Sequence, residues 1–210
     1  GLWNKVDPSN FEIGFFNQYP RQSWEGMREI FYDLFGRVLP NAAHYALAEL
    51  EARGMLSCVI TQNIDHLHYD AGSRVVDEFH GTLKRILCMG CGRKSDISKI
   101  DLGILPPECG RCSGLLKPDI VFFGEAIPEQ TANQAVRASQ AADCMILIGT
   151  TGMVAPANML PKMAKSNGAA IIEINPEPSE YTRSVTDVFI REKAAAAMEM
   201  LMEEIDNQTR

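Results

Sequence analysis

A chain of 210 residues is long enough to bury a full core, and its make-up, 46% apolar and 22% charged, is ordinary for a globular protein. A formal charge of −7 repels a polyanion on average, which argues against nucleic acid as a specific partner. No apolar run approaches the ~20 residues that span a bilayer, and no signal-peptide pattern is visible, so a cytoplasmic protein is expected.

In chain order, residues 1–40 read as a small helical module. Trp24, Met27, Ile30, Phe31, Leu34 and Phe35 recur at three- and four-residue intervals and make one apolar face. Pro40 breaks the chain, Asn41 caps a helix running to about Arg53, and Gly54 stops it. The apolar run 56–60 reads as a buried strand, with Thr61, Gln62, Asn63, Ile64 and Asp65 forming a polar loop at its carboxyl end. Open α/β sheets bind ligands at that place. A strand pair is predicted around His80, over 75–79 and 83–87, followed by a cysteine module over 88–116 and an extended segment over 120–123. A helix over 129–142, a strand over Cys144–Ile148, a loop over 149–155, a helix over 156–166, strands over 170–174 and 187–190 and a C-terminal helix complete the pattern. Strands alternating with helices predict an α/β fold, a parallel sheet covered on both faces. The domain reading is 1–40 as a helical module, 88–116 as a metal module, and 41–87 with 117–210 as the sheet domain.

Cys88-x-x-Cys91 and Cys109-x-x-Cys112 are separated by seventeen residues. Each pair brings two thiolates within reach of one ion, and two pairs complete a tetrahedral four-sulfur site, structural because no coordination position stays open. Two disulfides or free thiols are the competing reading; the spacing favours zinc. Cys58 and Cys144 sit in predicted strands as small core residues. His80, before Gly81, is a candidate general base, since an unperturbed imidazole titrates near ~6.5; a structural histidine is the alternative. His44, His66 and His68 are read as structural. Gly149-Thr150-Thr151 follows an apolar strand, and its glycine and hydroxyls suit phosphate or ribose oxygens, although it is neither a Walker loop nor a G-x-G-x-x-G fingerprint. Asn175-Pro176-Glu177 sits beyond the next strand, where a doubly wound sheet receives the adenosine half of a dinucleotide; a plain turn explains it equally well.

Gly1-Leu2-Trp3, Gln62-Asn63-Ile64-Asp65, His80-Gly81, the paired cysteines, Lys117-Pro118-Asp119 through Glu125, Gly149-Thr150-Thr151, Ile174-Asn175 and Ala194 together resemble the sirtuin family of NAD-dependent protein deacylases, in a bacterial or archaeal-like form. They occur in the family's order and run almost end to end. The resemblance implies a Rossmann-like, doubly wound NAD-binding domain and a small domain made of a zinc ribbon and the helical module. It implies zinc on Cys88, Cys91, Cys109 and Cys112, NAD as co-substrate, and acylated-lysine proteins or peptides as partners, whose basic character suits the acidic chain.

In this family the acyl oxygen attacks C1′ of the nicotinamide ribose as nicotinamide leaves, and hydrolysis frees lysine and O-acyl-ADP-ribose. His80 then matches the base that deprotonates a ribose hydroxyl, and Asn63 the residue that orders ribose and water. Asp65 with Ile64 resembles the carboxamide contact and Gln62 a ribose contact. Gly149, Thr150 and Thr151 resemble the phosphate and ribose loop, Asn175 and Glu177 the adenosine-ribose contacts, and Ala194 a backbone contact to adenine. Val121, Phe122, Phe123, Gly124 and Glu125 match a strand that pairs with the substrate backbone, with Val154 on the substrate's other side, a case of β-strand addition. Met27 and Ile30 stand where members that prefer acidic acyl groups carry Tyr and Arg, so acetyl or apolar acyl groups are expected over succinyl.

Two departures stand out. Glu192 replaces a usual glycine at the adenine end. The family's first strand and its Gly-Ala-Gly-type loop, ending in Pro-Asp-Phe-Arg, belong before Gly1 and are missing from this sequence; the expectation is that the parent protein extends upstream, against a truncated form or a strand supplied by a partner chain. A non-catalytic acyl-lysine-binding module and a protein ADP-ribosyltransferase are the alternative functions.

Overall fold

The structure is a computed structural model and describes residues 8–33 and 38–208. By internal packing the chain divides into two units: Gly1–Leu39, Asn63–His66 and His80–Ile127 form the first, and Pro40–Gln62, Leu67–Phe79 and Pro128–Arg210 the second. The predicted positions Leu34 and Phe35 and the Gly1-Leu2-Trp3 match lie outside the described residues.

The first unit begins with a 3₁₀ turn (Pro8–Phe11), α1 (Ile13–Gln18) and α2 (Pro20–Met27), which runs into a π-helical turn over Arg28–Tyr32. The apolar stripe behaves as expected. Trp24, Met27 and Phe31 are buried with Phe11 and Phe16 against Ile86, Leu116, Ile120 and Phe122. The Trp24 indole N–H finds the Leu116 carbonyl at 2.9 Å, so the ring's polar edge is satisfied inside the core.

In the second unit α3 (Ala42–Ala52) starts at Asn41. Its side chain accepts the Ala43 and His44 N–H groups, while His44 Nδ1 accepts the Asn41 N–H, a reciprocal cap that gives His44 its structural role. Gly54, at φ +71, ends the helix. The Met55 and Leu56 N–H groups both return to the Leu50 carbonyl, and this wrap delays β1 to Val59–Thr61 rather than 56–60. After α4 (Leu67–Asp70), β2 (Val76–Glu78) pairs with β1 in parallel.

The predicted strand pair around His80 is corrected by the structure. Gly81, at φ +79, turns the chain between β2 and β3 (Gly81–Cys88), so the two strands lie in different sheets. In the first unit β3 is the centre of an antiparallel sheet, flanked by β4 (Lys94–Asp96) and β5 (Leu116–Ile120). The extended segment expected over 120–123 ends as a ladder at Ile120. Beyond it Gly124 takes φ +88 and the Glu125 N–H closes a turn on the Phe122 carbonyl.

The remainder of the second unit is α5 (Glu129–Ala141), β6 (Cys144–Ile148), a 3₁₀ turn (Ala157–Met159) leading into α6 (Leu160–Ser166), β7 (Ala170–Ile174), β8 (Val188–Ile190) and α7 (Ala194–Gln208). Strands β6, β7 and β8 are parallel neighbours in that order. Ile146, Ile148, Ile172, Ile174 and Ile190 pack toward Leu47 and Leu50 of α3 and Met198 of α7. Leu147 and Ile171 pack the other way, toward Ala164 of α6 and Tyr181. Both faces are covered as the strand–helix alternation predicts, but the parallel strands form two sheets, β1–β2 and β6–β7–β8, instead of the one expected. Among the described residues no helix is long and apolar enough to cross a membrane.

Candidate functional site

In the first unit, the loop after β1 and the head of β3 are joined by a hydrogen bond from the Leu83 N–H to the Ile64 carbonyl, 3.0 Å. Ile64 is buried and anchors the loop, leaving Asn63 exposed and Asp65 half-buried. His80, half-buried, is fixed by its backbone: its carbonyl accepts the Val121 N–H at 2.9 Å. Gly81 permits that approach. A Cβ there would lie 2.1 Å from the Asp119 carbonyl oxygen, and φ +79 is a left-handed conformation that other residues seldom adopt.

The segment 121–125 is built almost wholly from such ties. Phe123 donates its N–H to the Phe11 carbonyl and accepts the Ile13 N–H on its own carbonyl. The Phe122 N–H goes to Glu125 Oε2 at 2.8 Å, and that oxygen also receives Lys117 Nζ at 2.8 Å. Lys117, only 3% exposed, also donates to the Ile120 carbonyl and lies 4.2 Å from the centre of the Phe122 ring. Burial pulls its pKa down, and the Glu125 carboxylate opposes that shift. Phe122 is buried, whereas Phe123, Gly124 and the apolar Phe123 ring face outward. Sequence reasoning missed Lys117 as a support of this segment. It missed equally Asp119, whose Oδ2 takes both Arg85 and Lys94. A cationic residue eight positions before an acidic one across an apolar run was the available signal.

The cysteine module of the first unit folds as two matching knuckles. The Gly92 N–H returns to the Cys88 carbonyl and the Ser113 N–H to the Cys109 carbonyl, with Gly92 and Ser113 both at positive φ. All four sulfurs lie within 4.8 Å of one another, with Cys88–Cys112 at 3.5 Å and Cys91–Cys109 at 3.9 Å. Four thiolates at the usual zinc–sulfur length stand ~3.8 Å apart, so the donor set fits a tetrahedral ion and is far from the ~2.05 Å of a disulfide. The backbone N–H groups of Arg111 and then Cys112 lower the Cys109 pKa to about 6. Gly114 keeps the cluster tight, since a Cβ there would come 3.1 Å from Cys88 Sγ.

The second unit collects the strand-end loops. Half-buried Gln62 follows β1. Gly149, at φ +62, follows β6 and donates its N–H to the Ile174 carbonyl. Asn175 follows β7 and donates from Nδ2 to the Thr150 carbonyl at 2.8 Å, so the two loops brace each other. The Thr150 hydroxyl accepts the Gly152 N–H. Glu177 is exposed and pairs with Arg191 at 2.9 Å, while Glu192 Oε1 accepts the Lys193 N–H just before Ala194 opens α7. Val154 is exposed in the loop that follows. All these loops leave the carboxyl ends of parallel strands, the ligand-binding edge of an α/β sheet. The structure thus brings together Asn63, Ile64, Asp65, His80, the segment 121–125 and the cysteines in one unit, and Gln62, 149–151, Val154, Asn175, Glu177 and Ala194 in the other.

Residues 1–156 match the model of the Sir2 family. A protein from Aeropyrum pernix named NAD-dependent protein deacylase is 43% identical over 206 residues, spanning 96% of this chain and 81% of its own length. A solved structure of a Sir2 homolog–NAD complex superposes with a TM-score of 0.91 at 37% identity, covering 100% of this chain and 82% of its own. A structure of Sir2 bound to acetylated peptide gives 0.89 at 30% identity, covering 95% and 84%. By the family match over residues 1–156, its parallel α/β architecture and a likeness to these proteins that runs over nearly all of this chain, the chain belongs to the Sir2 family.

Proposed function

We propose that this chain is an NAD-dependent protein-lysine deacylase that releases nicotinamide and O-acyl-ADP-ribose. One observation carries the reading at the level of residues: the His80 carbonyl holds the Val121 N–H, so a base candidate and the segment assigned to the acyl-lysine peptide share one backbone frame. The relative from Aeropyrum pernix bears the name of that activity, and similar structures hold NAD in one case and acetylated peptide in another.

When bound, NAD supplies an electrophilic anomeric carbon with nicotinamide as its leaving group. The chain's own residues then bind, orient and move protons. Asp65 and Ile64 take the carboxamide, Gln62 and Asn63 the nearby ribose with its water, and Gly149, Thr150 and Thr151 the phosphate and ribose oxygens. Asn175, Glu177 and the backbone at Ala194 serve the adenosine end, where Glu177 exchanges part of its pairing with Arg191 for the ligand. The neutral His80 imidazole accepts the ribose hydroxyl proton. Val121, Phe122, Phe123, Gly124, Glu125 and Val154 receive the peptide by main-chain pairing, which tolerates varied flanking sequence. Holding a weak oxygen nucleophile in line with the departing nicotinamide is a positioning task, and the braced loops suit it. Zinc on Cys88, Cys91, Cys109 and Cys112 stabilises the fold and takes no part in a chemical step. A four-thiolate cluster persists best in a reducing compartment, which supports a cytoplasmic location.

The test is nicotinamide release from NAD in the presence of an acetyl-lysine peptide. Release beyond one equivalent per chain must require both substrates and be lost in His80→Ala. Turnover surviving in His80→Ala at wild-type rate removes His80 from its role.

A further inference from the structure

Glu173 is fully buried on β7, and no step above uses it. Its oxygens collect hydroxyls from a single loop. Oε1 accepts Ser179 Oγ at 2.6 Å and Thr182 Oγ1 at 2.9 Å, and Oε2 accepts Thr182 Oγ1 at 2.9 Å and Thr186 Oγ1 at 2.7 Å. Two of those hydroxyls also read the loop's backbone, Thr182 Oγ1 accepting the Ser179 N–H and Ser179 Oγ the Tyr181 N–H. Their protons are therefore committed to the carboxylate. A carboxylate at an interior sheet position carries a desolvation penalty that well-placed donors only offset, and an apolar residue serves stability as well or better. The arrangement makes sense as a device for fixing the loop 175–187.

That loop supports a second one. Tyr181 is 2% exposed, and its ring packs so closely on Gly152 that a Cβ there would lie 2.8 Å from Cε2. The Glu180 N–H bonds the Thr151 carbonyl at 3.1 Å, one residue away. We infer that Glu173 is a positioning residue: it sets the loop 175–187 and, through Tyr181 and Glu180, the turn 150–154. One buried carboxylate then governs both the NAD contacts at Thr150 and Thr151 and the peptide contact at Val154. The kinetic consequence rests on the deacylase reading, whereas the mechanical coupling of the two loops does not.

The experiment compares Glu173→Ala, Glu173→Gln and Leu50→Ala in the whole chain. Leu50 is also buried in the same unit but packs in the cluster that leaves out Tyr181 and this loop, so it controls for lost packing. Amide exchange is read over 149–154 and 176–187, with KM for NAD and for an acetyl-lysine peptide. Glu173→Ala speeds exchange in both segments about tenfold and raises both KM values about fivefold or more, with kcat within about twofold. Glu173→Gln keeps a carbonyl oxygen for the hydroxyls and recovers most of both effects. Leu50→Ala lowers the melting temperature without moving either KM. Faster exchange confined to 176–187, a fall in kcat at unchanged KM, or Leu50→Ala reproducing the KM rise overturns the inference. If the wild-type chain turns over no acyl peptide, the deacylase reading fails by itself, and exchange over 149–154 alone decides the coupling.

Discussion

Replacing Lys117 by methionine isolates the polar support of the segment 121–125 from its apolar packing. Methionine refills most of the lysine stem, so the loss is chiefly electrostatic. The Ile120 carbonyl, bonded to Nζ at 2.7 Å, is left without that donor beside a buried stretch, at a cost of about 1–3 kcal/mol. The contact over Phe122 contributes about 0.5–2 kcal/mol when desolvated. Stranding a partner in a fully buried ion pair costs about 3–5 kcal/mol, but the Glu125 side chain is 26% exposed and gains water, which places its share well below that range. The net expectation is about 2–4 kcal/mol, and on the order of 10 °C in melting temperature for a chain of this size. Urea unfolding followed by Trp24 fluorescence, in a Trp3→Phe background, reads the effect locally because the Trp24 indole binds the Leu116 carbonyl, next to Lys117. The same variant raises KM for an acetyl-lysine peptide more than KM for NAD. Glu125→Gln retains an acceptor for the Phe122 N–H and loses less, about 1–2 kcal/mol. A Lys117→Met loss under ~1 kcal/mol, or a KM for peptide that does not move, refutes the account of this segment.

Asp77 has a buried Oδ2 with no hydrogen-bond partner among the described residues, and burial raises its pKa to about 6. Because the folded pKa lies above the unfolded one, the folded state favours the neutral acid; stability falls as pH rises from about 4 through 6. Asp77→Asn therefore stabilises the chain by about 1–2 kcal/mol at pH 8, after discounting for a half-exposed side chain, and hardly at all at pH 4; urea titrations showing an equal gain at both values contradict this. Zinc analysis of the purified chain gives one ion per chain, lost on acidification as protons compete for the thiolates. Cys109→Ser weakens metal retention and lowers the melting temperature of the first unit, and an unchanged melting curve after chelation rules out a structural ion. Met27 is fully buried and Ile30 half-buried, so neither place offers a cation for a distal carboxylate. Acetyl-lysine peptides are turned over at least about tenfold better than succinyl-lysine peptides, and comparable rates refute the preference.

The sequence is most legible where chemistry is local. Two Cys-x-x-Cys turns carry their own ligand geometry, and the four sulfurs converge as that spacing requires. His80-Gly81 stands out by its resemblance to the family motif, but the left-handed turn at Gly81 that separates β2 from β3 is not read from the sequence. Asn41 and Gly54 are legible as the two ends of α3, again for a local reason. What depends on distant partners is not. The start of β1 shifts because the Met55 and Leu56 N–H groups choose the Leu50 carbonyl over a ladder. Lys117 belongs to a segment that matches the family, but its burial against Glu125 and the Phe122 ring is visible only in the fold. Glu173, in the run Ala-Ile-Ile-Glu-Ile, looks like the polar face of an alternating strand, but the sheet is covered on both faces and the carboxylate is interior. At the ligand edge, composition says only that strand-end loops are polar. Their mutual bracing, such as Asn175 on the Thr150 carbonyl, emerges only when parallel strands set the loops side by side.

Transfer of an acyl group from lysine to the ADP-ribose part of NAD, with His80 as the proposed base, is read most directly by mass spectrometry of the products from acetyl-lysine peptide and NAD. Equimolar free-lysine peptide, nicotinamide and O-acetyl-ADP-ribose are expected, with their build-up beyond one equivalent per chain lost in His80→Ala. Free acetate with NAD left intact, or ADP-ribose attached to protein with the acetyl group still on lysine, contradicts it.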